Sequence, residues 1–138
     1  MQYYLDTNVL IFVLLNETDN IDKDVAHILN DYSNIFYVSP VVVRELIHAY
    51  KAGDIKDNTY KTAKTLLKSI ENLGIEIKPL TKHHLAAYAE FEPATGHKDP
   101  NDHIIIAQAI SDKISIISSD HKFKCYASQG LHCIFNKR

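Results

Sequence analysis

The sequence predicts an α/β protein with a mainly parallel central sheet of four to five strands, flanked by helices. Short apolar runs rich in β-branched and aromatic residues alternate with segments of helical periodicity along the whole chain. No repeat, low-complexity tract or linker interrupts that alternation. At 138 residues, 46% of them hydrophobic, the chain can bury one sizeable core, so residues 1–138 are read as a single domain.

Residues 2–6 form the first expected strand, followed by a helix from Thr7 to about Leu15 and a polar break over 16–20. Asp22 to Asp31 reads as a second helix, with Val25, Ile28 and Leu29 as its apolar stripe. Ile35–Val38 is the second strand. Ser39 and Pro40 then give a strong helix start, with Ser as N-cap and Pro at the first helical position, and that helix runs to about Lys51. A longer helix is expected from about Asn58 to Asn72, ended by Gly74. A third strand over 75–78 leads to a helix from Thr81 to Phe91. Residues 92–100, with two Pro and one Gly, read as a loop. A helix from Asn101 to Ser111, a strand over 114–118 and a short strand over 131–135 complete the chain.

Composition excludes some functions. No apolar run approaches the roughly 20 residues of a membrane span. The first strand lacks a preceding basic region and is interrupted by Asp6, so a signal peptide is not expected and a cytoplasmic location is. Cys125 and Cys133 lie in no CxxC pattern and read as two free, half-buried thiols. The histidines, His83 and His84 among them, have no HExxH or CxxC companion, which argues against zinc. A net charge of −2 argues against a broad basic face for nucleic acid. Gathering several acids at one metal site would leave the remaining surface slightly basic.

Four acids carry the chemistry. Asp6 ends the first strand, Asp120 follows the fourth, Glu45 lies one to two turns into the helix that Ser39-Pro40 starts, and Asp102 lies in the first turn of its helix. Parallel strands would bring all four to the same edge of the sheet, where open α/β folds place their ligands. Glu45 stands in Val41-Val42-Val43-Arg44-Glu45-Leu46-Ile47, and Asp102 precedes three isoleucines. Acids crowded in such apolar surroundings repel one another. A hard divalent cation, Mg²⁺ or Mn²⁺, removes the conflict and would supply chemistry toward a phosphodiester.

The residues that frame these acids resemble the PIN domain family, and within it the VapC-type ribonuclease toxins of toxin–antitoxin pairs. Leu5-Asp6-Thr7-Asn8-Val9-Leu10 resembles the opening motif, and Ser39-Pro40-Val41-Val42-Val43-Arg44-Glu45-Leu46 the second. Residues His97 to Ala109 are similar to the third motif and Ile117-Ser118-Ser119-Asp120-His121-Lys122-Phe123 to the fourth. The four motifs come in order over essentially the whole chain. Asn101 stands where many relatives carry an aromatic residue and His103 where they often carry Arg; His103 reads as a first-turn surface residue.

The resemblance implies a PIN-like fold, an acidic Mg²⁺ or Mn²⁺ pocket and metal-dependent endonucleolytic cleavage of RNA. It implies Asp6, Glu45, Asp102 and Asp120 as metal-binding and catalytic acids, with Thr7 and Asn8 orienting ligands or water and Asp99 as an accessory acid. The expected partners are an RNA substrate, a cognate antitoxin and a second copy of the chain. Lys61, Lys64 and Lys68 read as a solvated helix face, and Tyr60, Leu66, Leu67 and Ile70 as core rather than as a partner-binding face. Two rival functions stand beside this one. One is a phosphatase with Asp6 as nucleophile, although such folds place another Asp where Asn8 stands. The other is a regulatory module that binds RNA or a partner without cutting.

Overall fold

The computed structural model describes residues 1–55 and 59–138. Five strands, β1 (Gln2–Leu5), β2 (Ile35–Val38), β3 (Glu76–Ile77), β4 (Ser115–Ser118) and β5 (Cys133–Phe135), form one sheet in the order β3-β2-β1-β4-β5. Every pairing in it is parallel. The chain starts at the centre, builds outward through β2 and β3, then returns to the other side of β1 for β4 and β5. The order therefore reverses between β1 and β4, and a crevice opens beyond their carboxyl ends.

The helices are α1 (Thr7–Leu14), α2 (Lys23–Asn30), α3 (Pro40–Lys51), α4 (Ala63–Asn72), α5 (Lys82–Glu90) and α6 (Pro100–Asp112). Two 3-10 segments, Thr18–Asn20 and His121–Gln129, complete the set among the described residues. Side-chain caps set several starts. Ser39 Oγ accepts from Val41 N at 3.2 Å, with Pro40 in the first turn of α3. Asp99 caps α6 in the same way, accepting from Asn101 N at 2.9 Å, so α6 starts at Pro100. It ends at Lys113, which adopts the left-handed conformation at φ 56°.

Two expectations about the elements need correction. The helix expected from about Asn58 starts at Ala63: Asn58 lies outside the described residues, but 59–62 are not helical, and the Thr62 hydroxyl caps α4 by accepting from Thr65 N at 3.1 Å. The segment after Asp120, given no element from the sequence, is a 3-10 helix. Its apolar residues, Phe123 and Tyr126, are three apart and both fully buried, which suits a three-residue turn. Gly130, at φ 102°, ends it.

One hydrophobic cluster runs through the sheet and both helical layers. It includes Tyr4 and Leu5 of β1, Ile116 and Ile117 of β4, Leu46 of α3, Leu66 and Ile70 of α4, and Ile106 of α6. Tyr60 and Leu67 pack against it, and the Tyr60 hydroxyl donates to Leu14 O at 2.8 Å. The face of α4 is thus core, while Lys61, Lys64 and Lys68 are exposed. Both cysteines are unpaired, but Cys125 is exposed rather than half-buried.

Far from the crevice a polar network ties α5 to α6 and β1. Thr81 N donates to His84 Nδ1 at 2.9 Å, which leaves the proton on Nε2 to be donated to Asp112 Oδ1 at 2.8 Å. The Tyr4 hydroxyl donates to the other Asp112 oxygen, and Lys78 Nζ lies 3.4 Å from it. Burial works against the Asp112 charge, but these donors outweigh it and hold the carboxyl below the usual range.

Candidate metal centre

Asp6 leaves β1 as the N-cap of α1, its Oδ1 accepting from Thr7 N at 2.8 Å. Tyr4 pairs with Ile116 in the parallel register, so two residues further on Asp6 comes level with Ser118 of β4. The Ser118 hydroxyl donates to Asp6 Oδ2 at 2.8 Å and accepts from Asp120 N at 3.0 Å. Both oxygens of a 5%-exposed carboxylate are therefore held by neutral donors. Asp120 caps the following 3-10 helix through Lys122 N.

Glu45 reaches the same place from α3. The Thr7 hydroxyl donates to Glu45 Oε1 at 2.8 Å, so Thr7 joins two acids, one through its backbone and one through its side chain. Asp102, in the first turn of α6, faces His97 at 3.0 Å. One ligand atom each from His97, Asp102 and Asp120 lie within 4.8 Å of one another, an arrangement that could hold a metal ion.

The electrostatics record this crowding. Burial, opposed by the Ser118 and Thr7 donors and reinforced by Asp102 and Glu45, raises the Asp6 carboxyl to about 7. Burial also raises Glu45 and Asp102; the nearby acids add to it, and the Thr7 and His97 hydrogen bonds oppose it. Among the described residues no Lys or Arg forms an ion pair with any of the four acids. The Arg44 charge opposes the rise at Glu45 least of these causes. An oxygen-rich, half-buried cluster with no Lys or Arg ion pair among the described residues fits a hard divalent cation such as Mg²⁺ or Mn²⁺.

The family model of the PIN domain matches residues 3–128. The chain belongs to the PIN domain family. No curated protein matches this PIN domain significantly. Among solved structures it is similar to a chain of VapBC2 from Rickettsia felis, bound there to a DNA fragment from their promoter, at TM-score 0.72 and 21% identity over 99% of this chain and 100% of that one. It is similar to a chain of VapBC-1 from nontypeable Haemophilus influenzae at TM-score 0.67 and 19% identity, over 98% of each. VapBC-5 from Mycobacterium tuberculosis, a member of the VapBC family of toxin-antitoxin systems, gives TM-score 0.63 and 19% identity over 97% of this chain and 98% of that one. At such identities the likeness is one of fold.

The sequence-derived residues separate within this PIN domain. Asp6, Thr7, Glu45, Asp102 and Asp120 gather at the crevice. Asn8 is exposed on α1 and lines a shallow groove with Ile11, Leu15, Glu17, Ala49, Asp54 and Ile55, without a side-chain hydrogen bond among the described residues. Asp99 is exposed as the α6 cap, and it touches the site only through its field on Glu45 and Asp102. His103 is not a surface residue: it is 7% exposed, and its Nε2 donates to His97 O at 2.7 Å.

Sequence reasoning missed Ser118 and His97. The signal for Ser118 was present, since it is a polar residue on the same strand face as the buried Ile116. His97 lies in an aperiodic loop and precedes Asp102 by five residues across Pro100, so no helical spacing links them.

Proposed function

We propose that this PIN domain, the whole of residues 1–138, is a metal-dependent endoribonuclease acting as the toxin of a toxin–antitoxin pair. The observation that carries the proposal is the convergence of Asp6, Glu45, Asp102 and Asp120 beyond β1 and β4, with no Lys or Arg ion-paired to them among the described residues. Mg²⁺ or Mn²⁺, when bound, supplies Lewis acidity toward a phosphodiester and acidity to water. Asp6, Glu45 and Asp102 would hold the cation, with Asp120 completing the set or helping to hold a second ion. Thr7 fixes the Glu45 carboxylate, and Ser118 fixes Asp6 together with the start of the Asp120 turn. Asp99 adds negative field at the rim.

Chains of similar fold come from toxin–antitoxin complexes, which supports an antitoxin as partner here. A cavity of about 280 Å³ lined by Phe12, Val13, Ile21, Leu29, Phe36 and Leu73 offers room for apolar side chains of a partner helix. The proposal extends to a cytoplasmic location and to pairing with a second copy of the chain. No helix among the described residues is long and apolar enough to cross a membrane. The test is inducible expression in bacteria of wild type beside Asp6→Asn. Growth arrest with wild type alone is expected, and equal growth of the two strains would overturn the toxin reading.

A further inference from the structure

The loop before α6 folds back so that His97, 3% exposed, lies between α6 and the 3-10 helix that follows Asp120. Gly96, at φ 84°, makes the bend, and His97 N closes it onto Ala94 O at 3.0 Å. The imidazole packs edge-on against His103, with ring centres 4.8 Å apart, and against Phe123 and Tyr126. This ring is locked in place, and its hydrogen bonds assign its proton. Ala94 N donates to the Tyr126 hydroxyl oxygen at 3.0 Å, and that hydroxyl contacts His97 Nδ1 at 2.5 Å. The Asp102 carboxylate only accepts, so its contact requires a proton on His97 Nε2, and the neutral ring then takes the phenolic proton at Nδ1. The imidazole proton then sits on Nε2, facing Asp102 Oδ2 at 3.0 Å.

We propose that His97 is a positioning residue for Asp102, its tautomer set by Tyr126 so that Nε2–H aims the carboxylate into the acid cluster. The inference rests on the reading of Asp102 as a metal ligand. His97 occupies one Asp102 oxygen, and among the described residues no donor contacts the other. Donors to ligating carboxylates fix the orientation of the ligand, and their loss weakens metal binding about 10- to 100-fold. The nearness of His97, Asp102 and Asp120 also suggests His97 itself as a ligand. That role needs Nε2 without its proton, and the Tyr126 relay puts the proton there.

Mn²⁺ affinity separates the two roles, measured from the electron paramagnetic resonance signal of the unbound ion on purified wild type, His97→Ala and His97→Gln. The Gln amide nitrogen reaches the Nε2 position and still donates. Folding is checked by circular dichroism. Binding weakened about 10- to 100-fold in His97→Ala and restored to within about threefold of wild type in His97→Gln is the expected result. Unchanged binding in a folded His97→Ala overturns the proposal, and so does a His97→Gln as weak as the alanine variant. If His97→Ala fails to fold, long-range ¹H–¹⁵N NMR of the wild-type ring decides: an Nε2–H neutral tautomer upholds the relay, and an Nδ1–H tautomer or an imidazolium overturns it. Absence of Mn²⁺ binding by wild type would instead overturn the underlying reading of the acids as metal ligands, and this proposal with it.

Discussion

Replacing Asp6 by Asn should stabilise the metal-free protein at neutral and alkaline pH. The folded carboxyl is raised from 3.8 to about 7, chiefly by burial. A group with a raised folded pKa contributes stability that is complete below the unfolded value and is lost as pH rises through the folded one. The shift corresponds to about 4 kcal/mol lost between about pH 4 and pH 8. Against a typical total of about 5–15 kcal/mol, that is a large fraction. In Asp6→Asn the side-chain oxygen still accepts from Thr7 N, while the new N–H group must turn Ser118 from donor to acceptor at an oxygen that already receives Asp120 N. That crowding reduces the gain to about 3 kcal/mol, equivalent to about 10 °C in melting temperature at pH 8. The assay is calorimetric melting in chelator from pH 5 to 8. Wild type should fall steadily with pH, Asp6→Asn should fall less, and Mn²⁺ should raise wild type only. A variant that melts at or below wild type at pH 8 in chelator would refute the reasoning.

Ser118→Ala should destabilise the metal-free protein at pH 8 by about 1–3 kcal/mol, because it strips a donor from the buried Asp6 and an acceptor from Asp120 N; urea unfolding reads this. Asp112→Ala, at the far network, should cost about 1–3 kcal/mol by leaving Tyr4 and His84 without their shared acceptor. RNA cleavage by Asp112→Ala at a temperature well below its melting point should match wild type, and a lower rate there would mean that the network communicates with the site.

Four strands were legible as short runs rich in apolar residues, as a parallel sheet covered on both faces favours, and the edge strand β3 as two isoleucines alternating with polar residues. The convergence of acids was legible for the same reason: positions just past parallel strands share an edge. Less visible were features set by single tertiary contacts. The start of α4 depended on the Thr62 hydroxyl competing with a continuous helical pattern, and the 3-10 helix on two aromatic side chains three apart, a single pair that sets no period. His103 carries a polar side chain at a helix start, yet the carbonyl of His97 draws it inward. His97 itself became meaningful only when Tyr126 and Asp102, from two different elements, were brought to its two nitrogens.

The central claim is that the gathered acids form a metal site that cuts RNA, and the direct measurement is cleavage of a labelled structured RNA by purified protein. Wild type should cut in Mg²⁺ or Mn²⁺ and stop on chelation, while folded Asp6→Asn and Asp102→Asn should lose at least about 100-fold in rate, as expected when charge stabilisation at the reacting group is removed. Cleavage that survives chelation, or a folded Asp6→Asn variant that cuts at the wild-type rate, would contradict it.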